Sequence, residues 1–106
     1  LMSLDTVRLY IVETVEGEAL GQVRFEFAKG VWVVDYSLSP VFRGLGLGSR
    51  LLQVAISELR REQVHATIFG EVKVDNLASR RVFEILGFSA SMEDSTVKYI
   101  LRIMNA

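Results

Sequence analysis

Along the first third of the chain, apolar and polar residues trade places with a period of two. Val7, Leu9 and Ile11 alternate with Arg8, Tyr10 and Val12, the pattern of a half-buried strand that runs to about Thr14. Glu16-Gly17 makes a turn. Val23, Phe25 and Phe27 then alternate with Gln22, Arg24 and Glu26, and Lys29-Gly30 separates them from a third apolar run, Val31 to Leu38. Three antiparallel strands in a meander are the simple reading. Pro40 has no amide to donate, so the third strand is expected to stop near Ser39.

The period changes after a glycine-rich stretch at 43–49. Leu47, Leu51, Val54, Ala55 and Leu59 recur at helical spacing, with Arg50, Gln53, Ser57 and Arg61 on the other side. Val64 to Val72, which includes Ile68 and Phe69, suits a fourth strand, and the intervening helix makes strands three and four a parallel, right-handed crossover pair. A second helix starts at Asn76 or Leu77. Asn76 is a good N-cap, Val82, Phe83 and Leu86 face inward, and Gly87 supplies a left-handed residue to end the helix. Val97, Tyr99, Leu101 and Ile103 alternate as a last strand. The expected class is α/β (α+β) with a mixed sheet in the order β-β-β-α-β-α-β, without repeats or low-complexity segments.

Composition narrows the picture. The 106 residues suit one domain, 1–106, and at 50% apolar content they can bury roughly 65% of the unfolded surface. There is no cysteine, hence no disulfide framework, no thiolate metal site and no thiol to carry an acyl group, which fits a reducing cytoplasm. With 12 Lys and Arg against 13 Asp and Glu, the balance gives no support to a nucleic-acid or anionic-membrane surface, so any anion site must be local. No apolar run approaches the length of a membrane span.

The local candidate is Arg43-Gly44-Leu45-Gly46-Leu47-Gly48-Ser49, at the carboxyl end of a strand and the start of a helix. Glycines allow positive φ and a close approach of backbone amides to a phosphate, the helix start adds its positive end, and Arg43 adds a full charge. A plain turn is the competing reading. A P-loop requires Gly-Lys-Ser/Thr where this chain has Gly48-Ser49-Arg50, and a dinucleotide fingerprint requires a glycine where Ser49 or Leu51 stands. His65 is a lone histidine with no second one to form a metal pair, and Trp32 and Tyr36 on the third strand could line a substrate cleft, though aromatic residues in a sheet are usually packing.

Arg43-Gly44-Leu45-Gly46-Leu47-Gly48 resembles the Arg/Gln-x-x-Gly-x-Gly/Ala signature of the GNAT superfamily of acyl-CoA-dependent N-acyltransferases. Asn76-Leu77-Ala78-Ser79, leading to Phe83 and Gly87-Phe88, is similar to that family's second motif, and the resemblance runs from about Val7 to the end. It implies acetyl-CoA as acyl donor and no metal. It further implies that the backbone at Leu38 pairs with the pantetheine arm and that the amides of Arg43, Gly44, Leu45, Gly46, Leu47, Gly48 and Ser49 hold the pyrophosphate. Asn76 would contact the pantetheine or acyl arm, with helix capping as the alternative, and Ser79 or Arg80 would lie near the phosphates.

Glu71 stands five residues before Asn76, where relatives often carry a glutamate that relays the acceptor's proton. An attacking amine must be neutral although its ammonium form dominates at neutral pH, so a carboxylate that removes the proton is useful; a solvated strand glutamate is the alternative. Seven residues after Asn76, where many relatives have a proton-donating tyrosine, this chain has Phe83, so no general acid is assigned. Phe83 reads instead as core or as a wall for the acyl arm.

The resemblance starts at the family's second strand, so the usual N-terminal strand and helices, which help form the acceptor wall, are expected to be missing. A fragment, a preceding domain or a second subunit would each account for that, and unpaired strand edges favour a homodimer. Leu20-Gly-Gln-Val-Arg-Phe and Val72 to Phe88 look similar to acyltransferases of amino-sugar nucleotides. The expected function is acetyl transfer to a primary amine of a small molecule by direct attack in a ternary complex. The alternative is a weak or inactive acyl-CoA-binding module.

Overall fold

A computed structural model describes residues 6–104. Three strands, β1 (Val7–Glu13), β2 (Ala19–Ala28) and β3 (Val31–Leu38), form the expected antiparallel meander, and Lys29-Gly30 turns between the last two with both residues at positive φ. Pro40–Phe42 is one turn of 3-10 helix, so β3 ends where the proline requires. Helix α1 (Gly48–Glu62) leads to β4 (His65–Lys73), and helix α2 (Leu77–Ile85) to a terminal hairpin of β5 (Ser89–Glu93) and β6 (Thr96–Met104). The sheet order is β1-β2-β3-β4-β6-β5, with β3 and β4 the parallel pair.

Strand β5 is an addition to the expected order. All its residues are exposed and Ser89-Ala90-Ser91 carries no apolar alternation, so only pairing along β6 makes it a strand. Strand β6 sits between β4 and β5 because its inner row, Val97, Tyr99 and Ile103, has to reach the core.

One face of the sheet carries that core. Val23, Phe25, Trp32, Val34, Ile68, Val72, Val97 and Tyr99 point into it, met by Leu51, Leu52, Ala55, Ile56 and Leu59 along a single stripe of α1. Phe83 is the one buried residue of α2, stacked on Tyr99 at 5.0 Å and edge-on to Phe88 at 4.9 Å. Helix α2 ends as the sequence predicts. Gly87 has φ 84°, its amide donates to Glu84 O and that of Phe88 to Phe83 O, the paired bonds of a Schellman motif with its apolar contact. Leu9, Ile11, Val33 and Ile100 lie on the opposite, helix-free face and remain exposed.

Candidate active site

The sheet is split in its middle. Strand β3 is paired with β2 along its length and β4 with β6, yet β3 and β4 meet only at Trp32↔Ile68 and Val33↔Phe69. Beyond Val33 and Phe69 the two parallel strands diverge. Ser39 donates its amide to Leu20 O on the β2 side, so the alternation of an extended strand turns the amides of Leu38 and Tyr36 toward the gap. An extended ligand there finds backbone donors and acceptors without displacing a strand.

The opening widens into a cleft of 840 Å³ lined by β3 from Val34 to Leu38, the glycine loop, Glu71 to Lys73 of β4, and α2. At the loop, Gly44 and Gly46 have φ 76° and 73°, which a residue with a side chain rarely adopts. Gly48 serves a different purpose: a Cβ there would lie 2.9 Å from Val82, so its absence lets α1 approach α2. The N-cap of α1 is Leu47, which offers no side-chain acceptor, and the first turn holds no acidic residue. Its first amides are therefore open to a ligand. Arg43 donates Nε to Leu38 O at 3.1 Å, and its terminal nitrogens have no protein partner among the described residues.

Glu71 lies on the helix-free side of β4, because Gly70 and Val72 on either side of it turn inward. Thr96 Oγ1 donates to its Oε2 at 3.2 Å. Lys98, its cross-strand neighbour, is engaged by Glu93 at 3.0 Å, and that hydrogen bond raises the lysine's pKa, with the charges of Glu93 and then Glu71 acting the same way. The glycine loop and the carboxylate thus approach the split from opposite faces of the sheet.

Asn76 lines the cleft and also caps α2, its Oδ1 accepting from Ser79 N at 3.2 Å, so the two expected readings are compatible. Ser79 lines it too. Leu45 and Arg80 do not: Leu45 points to solvent, and Arg80 donates to Val74 O at 2.9 Å with Glu84 3.9 Å away, leaving Arg81 as the α2 arginine at the cleft. Phe83 is both core and wall, its ring occupying the place where a Cβ on Gly70 would be, at 2.6 Å. His65 is exposed at the start of β4, and Trp32 is buried with the Arg8 guanidinium 5.5 Å from its ring centre, so neither reaches the cleft.

Tyr36, for which the sequence allowed packing or a cleft wall, lies in the cleft. Its hydroxyl lies 2.9 Å from Ser79 Oγ, inside the cleft, with Phe83 edge-on at 6.2 Å. Burial raises its pKa, against a smaller lowering by the Ser79 hydrogen bond, and Asp35 adds to the rise. The available signal was parity: Tyr36 stands two residues before Leu38 on a strand that feeds the loop.

A half-split sheet with an uncapped helix beside the opening defines a class of coenzyme-binding α/β domain, and the comparisons with known proteins agree. The Acetyltransferase (GNAT) family model matches residues 3–88, and the chain belongs to that family of acyl-CoA-dependent N-acetyltransferases. Among solved structures, the ribosomal-protein-S18-alanine N-acetyltransferase of Escherichia coli superposes with a TM-score of 0.77 at 22% identity, covering 98% of this chain and 74% of that one. The spermidine N-acetyltransferase of Vibrio cholerae in complex with CoA and spermine gives 0.76 at 16% identity, covering 92% of this chain and 66% of that one. At such identities the likeness is one of fold. No curated protein matches the chain. Among the described residues there is no helix long and apolar enough to cross a membrane, and no cluster of His, Cys, Asp or Glu that could hold a metal.

Proposed function

We propose that this chain transfers an acetyl group from acetyl-CoA to a primary amine of a small molecule, by direct attack with both substrates bound. The observation that carries the reading is the continuity of the split with the uncapped start of α1: an anion cradle, then an extended channel with open backbone groups, then a carboxylate. The coenzyme supplies an activated thioester. The amides of Arg43 to Ser49 and the Arg43 guanidinium hold its diphosphate with Ser79 near it, Leu38 pairs with its amide arm, and Asn76 borders that arm from α2. Glu71 takes the acceptor's proton from the helix-free side. Thr96 holds that carboxylate in place.

The favoured acceptor is an amino sugar, on the resemblance at Leu20 to Phe25 and Val72 to Phe88. The spermidine and protein-alanine enzymes that share the fold set the alternatives for an amine panel. A second copy of the chain, paired through an exposed edge strand of the sheet, is the proposed partner, and a light-scattering mass of one chain contradicts it. A chain without cysteine suits a reducing compartment, and the cytoplasm is the proposed location.

The test is twofold. Saturating acetyl-CoA is expected to raise stability by about 2.7 kcal/mol at a hundred times its Kd, read as a thermal shift. Release of CoA thiol on adding an amine separates an enzyme from a module that only binds. Glu71→Gln is expected to lower kcat by about a hundredfold while acetyl-CoA affinity stays put. An unchanged kcat and pH profile refute the base assignment.

A further inference from the structure

We propose that the Tyr36 hydroxyl is a side-chain donor to the diphosphate of the acyl donor, held in place by Ser79, and that this pair selects acyl-CoA over thioesters that lack a diphosphate. The proposal rests on the acetyltransfer reading above and adds to the glycine loop and Arg43 a contact from β3.

Three elements converge on the phenol. Tyr36 comes from β3, Ser79 is the third residue of α2, and Gly48 is the first of α1. The phenol oxygen lies 2.9 Å from Ser79 Oγ, and a Cβ on Gly48 would sit 3.8 Å from Tyr36 Cε2 and 3.9 Å from its hydroxyl. The hydroxyl therefore stands against the first turn of α1, whose amides Leu47 leaves open, and inside the cleft. An anion resting on those amides would lie beside it. Phe83, edge-on at 6.2 Å, backs the ring, so packing sets the direction of the phenol before any ligand arrives.

A count of hydrogens shows what the pair has to offer. Two hydroxyls that meet at 2.9 Å bring two hydrogens, and only one can lie between the oxygens. The other has no protein acceptor among the described residues. With Ser79 donating to the phenol, the spare hydrogen belongs to Tyr36, the stronger acid of the two and so the better donor to a charged oxygen. Ser79 is then a positioning residue. Its own amide is engaged by Asn76 Oδ1 at 3.2 Å, so α2 offers this site a hydroxyl in place of an open amide. Burial raises the phenol's pKa against a smaller lowering by the Ser79 bond, with Asp35 adding to the rise, and the proton stays in place at neutral pH.

Selectivity follows from position. The hydroxyl serves a donor whose negative charge reaches the start of α1. A thioester of pantetheine has the arm that pairs with Leu38 but no phosphorus, and it gains nothing from Tyr36.

Tyr36→Phe removes one charge-assisted bond and is expected to lower kcat/KM for acetyl-CoA by about tenfold, chiefly through KM, and to weaken coenzyme A and dephospho-coenzyme A alike in calorimetry. The value of kcat/KM for S-acetylpantetheine should fall far less. The phosphorus resonances of bound dephospho-coenzyme A come from the diphosphate alone, and they are expected to differ between the wild type and Tyr36→Phe, a reading independent of turnover. Ser79→Ala should move them in the same direction with a smaller loss of affinity, and it decides if Tyr36→Phe does not fold. Equal losses with acetyl-CoA and S-acetylpantetheine, or diphosphate resonances that stay where they are, overturn the assignment while leaving acetyltransfer intact. If S-acetylpantetheine turns over too slowly to measure, the phosphorus resonances decide. A wild-type chain that neither binds coenzyme A nor releases thiol overturns acetyltransfer itself, and this assignment with it.

Discussion

The two helices begin in opposite ways. Helix α2 opens on Asn76, whose Oδ1 accepts the Ser79 amide at 3.2 Å, so part of its N-terminal demand is met from within. Helix α1 opens on Leu47, whose side chain can accept nothing, after two glycines at positive φ, and beside an arginine whose terminal nitrogens are unpaired among the described residues. A helix start without a cap forgoes about 1 kcal/mol, and with no acidic residue it keeps its full positive end. The difference teaches where the ligand's charge belongs. Helix α2 is finished by its own sequence, whereas α1 leaves its first amides open, where an anion would fit.

The sharpest way to break this contrast is Gly46→Val. A β-branched residue at φ 73° costs about 1–2 kcal/mol and misdirects the loop amides; losing one or two charge-assisted bonds should weaken acetyl-CoA by about a hundredfold in calorimetry. Leu47→Asp makes α1 resemble α2. Its carboxylate would occupy the first-turn amides and repel the diphosphate, weakening the coenzyme by about tenfold at low salt, and less at high salt. Asn76→Ala does the reverse at α2: about 1 kcal/mol of stability is lost, a drop of several degrees in Tm, with a smaller effect on coenzyme affinity than either change at α1. A larger effect on affinity than on Tm would mean that Asn76 acts mainly as a ligand contact.

The smallest effect concerns pH. Burial, then the bond donated to Glu84, holds Tyr99 above its ordinary pKa, and burial does the same for Tyr36. The unfolded chain therefore ionises first as pH rises. This contribution is complete below about pH 10 and is lost above it, so alkaline denaturation should begin later in Tyr99→Phe relative to its own neutral stability.

Two kinds of information separate when the residues are followed one by one. The alternation of Val23, Phe25 and Phe27, the helical stripe from Leu51 to Leu59, the proline that stops β3 and the glycine that ends α2 act over a few residues, so they were legible in the sequence, as was the glycine loop. Strand β5, the split of β3 from β4, the choice of Arg81 over Arg80 at the cleft and the placing of Tyr36 against Ser79 were not. The split and the Tyr36–Ser79 contact depend on partners distant in the chain, whereas β5 depends on β6, its neighbour in a hairpin. A strand such as Ser89–Glu93 exists only because β6 pairs with it, and a tyrosine on the inner side of β3 becomes core or cleft according to whether the next strand closes over it. Local sequence determined the two helices, the strands other than β5 and where an anion could bind; packing between distant segments decided where the sheet opens and which side chains face the opening.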